Sequence, residues 1–133
     1  MVSPHADEGR YILVIDDDES ICDVVDQVLT DEGYVVRCVS TAGGALQMIH
    51  EQPPGLILLD LSLPDQRGEE FITAYRQLPN GTAPIIVFSA RNDAERLAAQ
   101  LGANGTLPKP FDLLELLETV QAALSTGDTA EEG

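Results

Sequence analysis

Acidic side chains directly follow two of the short apolar segments in this chain. Asp16 and Asp17 come after the first segment, and Asp60 comes after a run of four apolar residues. An acidic run ahead of a helix is most often a solvated first turn favoured by the helix dipole, and Asp18 and Glu19 fit that interpretation. A carboxylate at the end of a fully apolar segment is harder to explain as a random surface residue. Asp16, Asp17 and Asp60 are therefore candidates for a functional site.

Two more polar residues follow later apolar segments. Ser89 ends the fourth segment, and Lys109 follows the fifth, between Pro108 and Pro110. Lys109 is the only lysine among seven basic residues, and taken alone it could be an ordinary surface lysine. Asp, Asp, Ser and Lys at the ends of four of five predicted strands form a much rarer combination.

These residue types together indicate one kind of chemistry. Three converging carboxylates repel one another and have raised pKa values unless a cation joins them, and an oxygen-only ligand set suits Mg²⁺ or Mn²⁺. The reaction that needs this set is phosphoryl transfer to a carboxylate, with Asp60 as the nucleophile that forms an acyl phosphate. The cation held by Asp16 and Asp17 and the ammonium of Lys109 would offset charge on the transferred oxygens, and Ser89 would hydrogen-bond one of them. This predicts a switch rather than a metabolic enzyme.

The elements that must position these residues follow a regular pattern. Five short runs rich in β-branched residues predict strands, since each is too short for a helix. They lie at residues 11–15, 34–39, 56–59, 85–88 and 105–107. The segments between them have a helical period, which predicts an α/β fold with a doubly wound parallel sheet covered by helices on both sides. Ligands of such folds bind at the carboxyl ends of the strands, where the candidate residues stand.

Capping and turn residues mark the ends of the predicted helices. Gly33 is expected to end the first helix in left-handed geometry, Thr41 to cap the second and Gly102 to end the fourth. The third helix is predicted to begin near Gly68 and the fifth at Asp112.

Length and charge limit the organisation and the partners of the chain. The 133 residues, with a net charge of −16, predict one domain at residues 10–124, after an extended or disordered N-terminus at 1–9 and before a polar tail or linker at 125–133. The negative field repels phosphate backbones and anionic lipid, and no apolar run could span a bilayer, so we expect no nucleic-acid or membrane binding by this segment. The N-terminus lacks the apolar stretch of a secretory signal, and Cys22 and Cys38 are predicted to be reduced thiols, which favours a cytoplasmic location.

Four sequence motifs give the chain a family resemblance. They are ILVIDDDES at residues 12–20, LILLDLSLPDQRG at 56–68, PIIVFSA at 84–90 and LPKPF at 107–111. Together they resemble the receiver domain of bacterial two-component response regulators over about residues 10–124. The order and spacing of the four motifs make the resemblance specific, although each motif alone is weak.

The resemblance implies a flavodoxin-like (βα)5 fold with five parallel strands in the order 2-1-3-4-5. It implies that Asp60 accepts a phosphoryl group from a histidine kinase or a phosphotransfer protein, with Ser89 and Lys109 at the phosphoryl group. It also implies that Asp17 is a direct ligand of Mg²⁺, that Asp16 acts partly through water, and that the backbone carbonyl of Ser62 is a further ligand.

Three other positions carry expectations from the same resemblance. The Lys109–Pro110 peptide bond would be cis, and Gly68 would stand where the backbone tolerates a positive φ. Most receivers have Tyr or Phe at the position of Thr106, so an aromatic rotamer coupled to Ser89 is not implied here. The signal could pass through the threonine hydroxyl or through backbone shifts of the loop after Ser89.

The fifth predicted helix carries an apolar stripe that is wider than a core stripe needs, and Leu114 widens it. Leu114 is either one of many singly exposed leucines or part of a partner surface. We expect phosphorylation to change self-association or effector binding through the fourth and fifth helices.

Two other functions remain open from the residues. A haloacid-dehalogenase-like phosphatase also uses a nucleophilic Asp, Mg²⁺, Ser or Thr, and Lys, but it expects a second Asp two residues after the nucleophile, where this chain has Ser62. A receiver-like docking module that is never phosphorylated would not need the acid pair, Asp60 or Lys109.

Overall fold

Five β-strands alternate with five α-helices in the part of the chain that the structure describes. The computed structural model describes the backbone of residues 10–90 and 92–132, and the side chains of residues 10–90 and 92–124. The elements are β1 (Ile12–Ile15), α1 (Glu19–Asp31), β2 (Val36–Val39), α2 (Ala42–Glu51), β3 (Leu56–Leu59), α3 (Gly68–Gln77), β4 (Ile85–Ser89), α4 (Ala94–Leu101), β5 (Gly105–Pro108) and α5 (Leu113–Glu132). The N-terminus predicted at residues 1–9 lies outside the described residues.

The strands form one parallel sheet in the order β2-β1-β3-β4-β5, which confirms the predicted fold. The register pairs Ile15 of β1 with Val39 on one side and with Leu59 on the other. On the far side of the sheet Ser89 pairs with Pro108. The strand ends that carry the candidate residues therefore meet along one edge of the sheet.

Helices cover both faces of the sheet, so the central strands β1 and β3 are apolar along their whole length. Leu13 and Ile15 face a core that α2, α3 and α4 complete, whereas Ile12 and Val14 face a second core that α1 and α5 complete. β1 and β3 are buried at every position. This explains why these strands read as continuous apolar runs rather than as alternating ones.

Side-chain caps fix where the helices that flank the site begin. Asp18 caps α1 by accepting hydrogen bonds from the N–H groups of Ser20 and Ile21. The Gly44 N–H donates to Thr41 Oγ1 at 3.0 Å at the start of α2, as predicted. The Asp18 side chain thus caps the helix, which confirms the solvated-turn interpretation.

Helix α5 starts with a reciprocal cap that the sequence analysis did not identify. The Glu115 N–H donates to Asp112 Oδ1 at 2.8 Å, and the Asp112 N–H donates to Glu115 Oε1 at 3.0 Å. This is a capping box, and it fixes the start of α5 three residues after Lys109.

Two glycines end helices in left-handed geometry, as predicted. Gly33 follows α1 with a φ of 96°, and Gly102 follows α4 with a φ of 78°. β2 begins later than the sequence pattern indicated, because the Tyr34 N–H still donates to Leu29 O of α1 and closes its last turn.

The backbone of α5 continues to Glu132, past Leu124, where the sequence predicts a polar tail. A helix satisfies its own backbone hydrogen bonds, so it can extend beyond its last core contact. The domain boundaries at residues 9 and 124 stay predictions. Among the described residues no helix is both long enough and apolar enough to cross a bilayer.

Candidate functional site

Three carboxylates converge at the carboxyl ends of β1 and β3. One oxygen from each of Asp16, Asp17 and Asp60 lies within 4.8 Å of the others. The Asp16 N–H donates to Val39 O and the Asp60 N–H donates to Ile15 O, so the sheet ladder itself brings the two residues to the edge. Asp16 and Asp60 are buried, at 2% and 7% exposure, whereas Asp17 is exposed. The site therefore has a closed floor and one side open to solvent.

Lys109 lies between the two buried carboxylates. Its Nζ is 2.7 Å from Asp16 Oδ2 and 3.6 Å from Asp60 Oδ2. The Lys109 N–H donates to Ser89 O, and its ammonium lies 4.9 Å from the centre of the Phe88 ring. The Lys109–Pro110 bond is cis, as predicted. The lysine is thus held in the site by main-chain and side-chain contacts, and the surface-lysine interpretation is wrong.

Burial and charge oppose each other at this site. Burial raises the pKa of Asp60, and the hydrogen bond from the Ser62 N–H and the charge of Lys109 only partly offset it. Burial also acts to lower the pKa of Lys109, but the hydrogen bond to Asp16 and the charge of Asp60 outweigh it, so the Lys109 pKa is raised. The site therefore favours the charged form of Lys109 and disfavours the charged form of Asp60.

Short main-chain contacts orient the two buried carboxylates. The Ser62 N–H donates to Asp60 Oδ1 at 3.2 Å, and the Asp18 N–H donates to Asp16 Oδ1 at 2.9 Å. Each carboxylate keeps a second oxygen, and Lys109 contacts that oxygen in both cases. The role of the Ser62 carbonyl as a metal ligand stays a prediction.

Gly68 is required for a reason other than the expected one. Among the described glycines only Gly33 and Gly102 have a positive φ, so the expectation for Gly68 was wrong. A Cβ at Gly68 would lie 2.6 Å from Leu61 Cα and 3.2 Å from Asp60 O. The Gly68 N–H donates to Leu61 O at 3.0 Å. Helix α3 therefore starts in direct contact with the backbone that carries Asp60, and only glycine fits there.

Asp65 is a residue of the site region that the sequence analysis missed. Its carboxylate accepts hydrogen bonds from the Ala42 N–H at 2.9 Å and from the Gly43 N–H at 3.0 Å, so it caps α2 from the loop that follows Asp60. These two bonds lower its pKa. The sequence carries no local signal for this contact, because Asp65 and its two partners lie 22 and 23 residues apart.

Ser89 and Thr106 lie on the strands nearest Lys109. Ser89 is 3% exposed at the end of β4, and its carbonyl holds the Lys109 N–H. Thr106 is half-buried in β5 and pairs with Val87. The structure brings Asp16, Asp17, Asp60, Ser89 and Lys109 to one edge, as the sequence analysis predicted.

The donor set fits a hard divalent cation. Three carboxylates supply oxygen ligands, two of them are buried and oriented, and the exposed Asp17 leaves a route to solvent. The single ammonium of Lys109 does not balance the charge of three carboxylates. Asp16, Asp17 and Asp60 would therefore hold Mg²⁺ or Mn²⁺ together with water or phosphate oxygens.

Comparisons with known proteins agree with this geometry. The family model of the response regulator receiver domain matches residues 12–121. The transcriptional regulatory protein KdpE of Mycobacterium tuberculosis is 39% identical over 123 residues, which are 91% of this chain and 54% of that protein. The chain thus spans about half the length of this curated relative.

Solved structures are similar over nearly the whole chain. A CheY-like response regulator receiver domain protein from Methanospirillum hungatei has a TM-score of 0.80 at 31% identity, covering 93% of this chain and 98% of that one. The chemotaxis response regulator CheY4 of Vibrio cholerae also has a TM-score of 0.80, at 29% identity, covering 86% of this chain and 98% of that one.

Proposed function

Because the chain belongs to the family of response regulator receiver domains, we propose that Asp60 accepts a phosphoryl group from a histidine kinase or a phosphotransfer protein. Receiver domains are regulatory parts of two-component systems rather than metabolic enzymes, and they bind Mg²⁺ in general. The proposal assigns the phosphoacceptor, the metal ligands and the phosphoryl contacts to particular residues of this chain.

One observation carries the assignment to Asp60. Lys109 Nζ contacts both Asp16 and Asp60 inside a buried edge of the sheet, and Asp60 keeps an oxygen near that ammonium. A cation fixed beside a buried carboxylate is the arrangement that stabilises charge on a transferred phosphoryl group. Asp16 shares the burial, the lysine and the acidic neighbours, so the resemblance of residues 56–68 to the receiver motif is what selects Asp60 rather than Asp16 as the phosphoacceptor.

The transfer step follows from these positions. An Asp60 carboxylate oxygen attacks the phosphorus of the donor phosphohistidine, a P–O bond forms as the P–N bond breaks, and the imidazole leaves with the electron pair. The Lys109 ammonium and the Ser89 hydroxyl donate hydrogen bonds to the transferred oxygens. Asp16, Asp17, Asp60 and the Ser62 carbonyl would hold Mg²⁺ or Mn²⁺, which would neutralise charge on the transferred oxygens.

The output is proposed to pass to the side of the sheet that α4, β5 and α5 form. Ser89 precedes the loop to α4. A new hydrogen bond from its hydroxyl to a phosphoryl oxygen therefore shifts the conformation of that loop. Leu113 and Leu114 at the start of α5 are 49% and 64% exposed, which supports a contact surface for an effector or for a second copy of the chain. The two free thiols, Cys22 and Cys38, support a cytoplasmic location.

Phosphate incorporation from acetyl phosphate tests the assignment. In the presence of Mg²⁺ the wild-type chain should take up one phosphoryl group, which is labile in base, and chelation of Mg²⁺ should prevent uptake. Asp60→Asn should take up none, whereas Asp31→Asn, at an exposed acid of α1, should be labelled like the wild type. Labelling of Asp60→Asn at the wild-type stoichiometry would refute the proposal.

Phosphate uptake, Mg²⁺ calorimetry and hydrolysis of a phosphate ester together separate the two alternatives. A receiver-like docking module would take up no phosphate in any variant and would not bind Mg²⁺ in calorimetry. A haloacid-dehalogenase-like phosphatase would hydrolyse a generic phosphate ester with turnover, and family membership does not favour it.

A further inference from the structure

The two cysteines of the chain are neighbours in the fold although 16 residues separate them in the sequence. Cys22 lies on α1 and Cys38 on β2, which contacts α1 in the fold. The Cys38 thiol also lies 3.8 Å from Cys22 O. In the sheet register Cys38 pairs with Val14, which faces the α1 side, so the β2 thiol points towards α1.

Both thiols are accessible to a small oxidant. Cys38 is exposed and Cys22 is half-buried, and both are unpaired in the structure. The proposed phosphoryl transfer uses neither of them. A disulfide needs an S–S distance of about 2.05 Å. Because the Cys38 sulfur already lies against the backbone of Cys22, side-chain rotation is the motion that would bring the two sulfurs together.

We propose that Cys22 and Cys38 form a reversible intramolecular disulfide when the chain meets hydrogen peroxide. One thiol sulfur attacks a peroxide oxygen and an S–O bond forms as the O–O bond breaks. The thiol becomes a sulfenic acid, and water is released. The second sulfur attacks the sulfenic sulfur, the S–S bond forms, and a second water leaves. The two sulfurs give up two electrons in all and the peroxide takes them, and a dithiol reductant reverses the reaction.

The disulfide acts on the metal site through a contact of Cys22. The Cys22 thiol donates to Asp16 O at 3.6 Å, and Asp16 supplies one of the converging carboxylates. Formation of the S–S bond removes this donor and turns the sulfur towards β2. Because Mg²⁺ demands near-ideal ligand geometry, oxidation loosens the site and weakens Mg²⁺ binding. This second part of the inference rests on the proposed function.

Intact mass under non-reducing conditions tests the disulfide on the wild-type chain. After graded treatment with hydrogen peroxide and then N-ethylmaleimide, the monomer should lose two hydrogens and take up no maleimide, and dithiothreitol should restore uptake at both thiols. Each single variant, Cys22→Ser or Cys38→Ser, should instead gain oxygen at its remaining thiol or keep that thiol reactive towards maleimide. Oxygen addition to the wild type without loss of two hydrogens, or disulfides between chains only, would overturn the proposal.

Calorimetry with Mg²⁺ alone tests the coupling. The oxidised wild type should bind Mg²⁺ about tenfold more weakly than the reduced wild type, the size typical of losing an outer-shell contact. Peroxide-treated Cys22→Ser, which has no thiol beside Asp16, serves as the control and should keep the affinity of the untreated variant. Equal affinity of the two wild-type forms would overturn the coupling. Absence of Mg²⁺ binding in the reduced protein would contradict the proposed function instead, and the mass measurement would still decide the disulfide.

Discussion

Lys109 is the residue on which the charge balance of the site depends. Two carboxylates, those of Asp16 and Asp60, are buried within reach of its ammonium. Removing one partner of a buried ion pair leaves the other charge uncompensated, which costs more than the pair itself contributes. The same ammonium is the one that we assign to the phosphoryl group.

Lys109→Gln should lower the free energy of unfolding by about 3 kcal/mol, because the Asp16 carboxylate then stays buried without its cation. Mg²⁺ should recover more stability in this variant than in the wild type, since it compensates the same charges. Urea denaturation with and without Mg²⁺ measures both effects. Arg37→Gln, which removes an exposed cation from β2, is the control. Wild-type stability of Lys109→Gln in chelator would contradict this account.

Asp65 connects the loop after Asp60 to the start of α2. Its pKa is lowered by the N–H groups of Ala42 and Gly43, so the folded chain binds a proton there less readily than the unfolded chain. The stability that it contributes is therefore fully present above the ordinary carboxyl pKa, near 4, and is lost as the pH falls through the lower folded value.

Asp65→Asn should lower stability at neutral pH and reduce the loss of stability below about pH 4, because the titrating group is gone. Urea denaturation from neutral to acidic pH measures the difference between the variant and the wild type. Asp31→Asn changes an exposed acid of α1 and is the control. Its difference in stability from the wild type should not narrow with acid in this way. A constant difference at all pH values for Asp65→Asn would show that the charge of Asp65 has no role.

At the scale of elements, the contact between the start of α3 and the loop after β3 determines the geometry of that phosphoacceptor loop. Helix α3 begins at Gly68, where a Cβ would meet the backbone of Leu61 and Asp60. Neither Leu61 Cα nor Asp60 O is the far end of a flexible side chain, so only a shift of the loop or the helix could relieve the clash.

Gly68→Ala should lower the free energy of unfolding by about 1–3 kcal/mol, the usual cost of overpacking, and should slow phosphorylation because the Asp60 loop moves. Gly43→Ala is the matched control. Its Cβ would meet only Asp65 Oδ2, at an ordinary 3.5 Å, and alanine favours the helix by about 1 kcal/mol, so this variant should be more stable. A Gly68→Ala variant as stable as the wild type would contradict the steric role.

Most elements could be predicted because their apolar periods are local. The strand at residues 56–59 and the caps at Asp18, Thr41 and Gly102 depend on neighbouring residues alone. The capping role of Asp65 could not be predicted, because its partners lie 22 and 23 residues away and only the assembled fold brings them together.

The site residues were predicted for a related reason. A parallel sheet collects the ends of its strands at one edge, so residue positions relative to the strands were enough to group Asp16, Asp60 and Lys109. The requirement at Gly68 was assigned to backbone conformation, whereas it comes from the close approach of α3 to the loop after β3. Sequence alone does not distinguish these two uses of glycine.

At the scale of the whole molecule, the net charge of −16 opposes contact between two copies of the chain. Self-association through α4 and α5 must therefore overcome long-range repulsion, which salt screens over about 10 Å at 0.1 M. The exposed leucines at the start of α5 are the apolar surface available for such a contact.

An acyl-phosphate mimic such as beryllofluoride with Mg²⁺ should shift the wild-type chain towards a dimer in sedimentation, and added salt should strengthen the shift. Leu114→Ser should stay monomeric under the same conditions while it remains folded, since Leu114 is 64% exposed. An unchanged monomer with and without the mimic would contradict self-association and would leave effector binding as the output.

The central claim is that Asp60 carries the phosphoryl group, and borohydride reduction tests it most directly. Reduction of an aspartyl phosphate converts that aspartate to homoserine, which peptide mass spectrometry locates along the chain. After treatment with acetyl phosphate and Mg²⁺, we predict homoserine at position 60 and at no other aspartate, with none formed in chelator. Homoserine at position 16 or 17, or phosphate uptake without homoserine at position 60, would contradict the account.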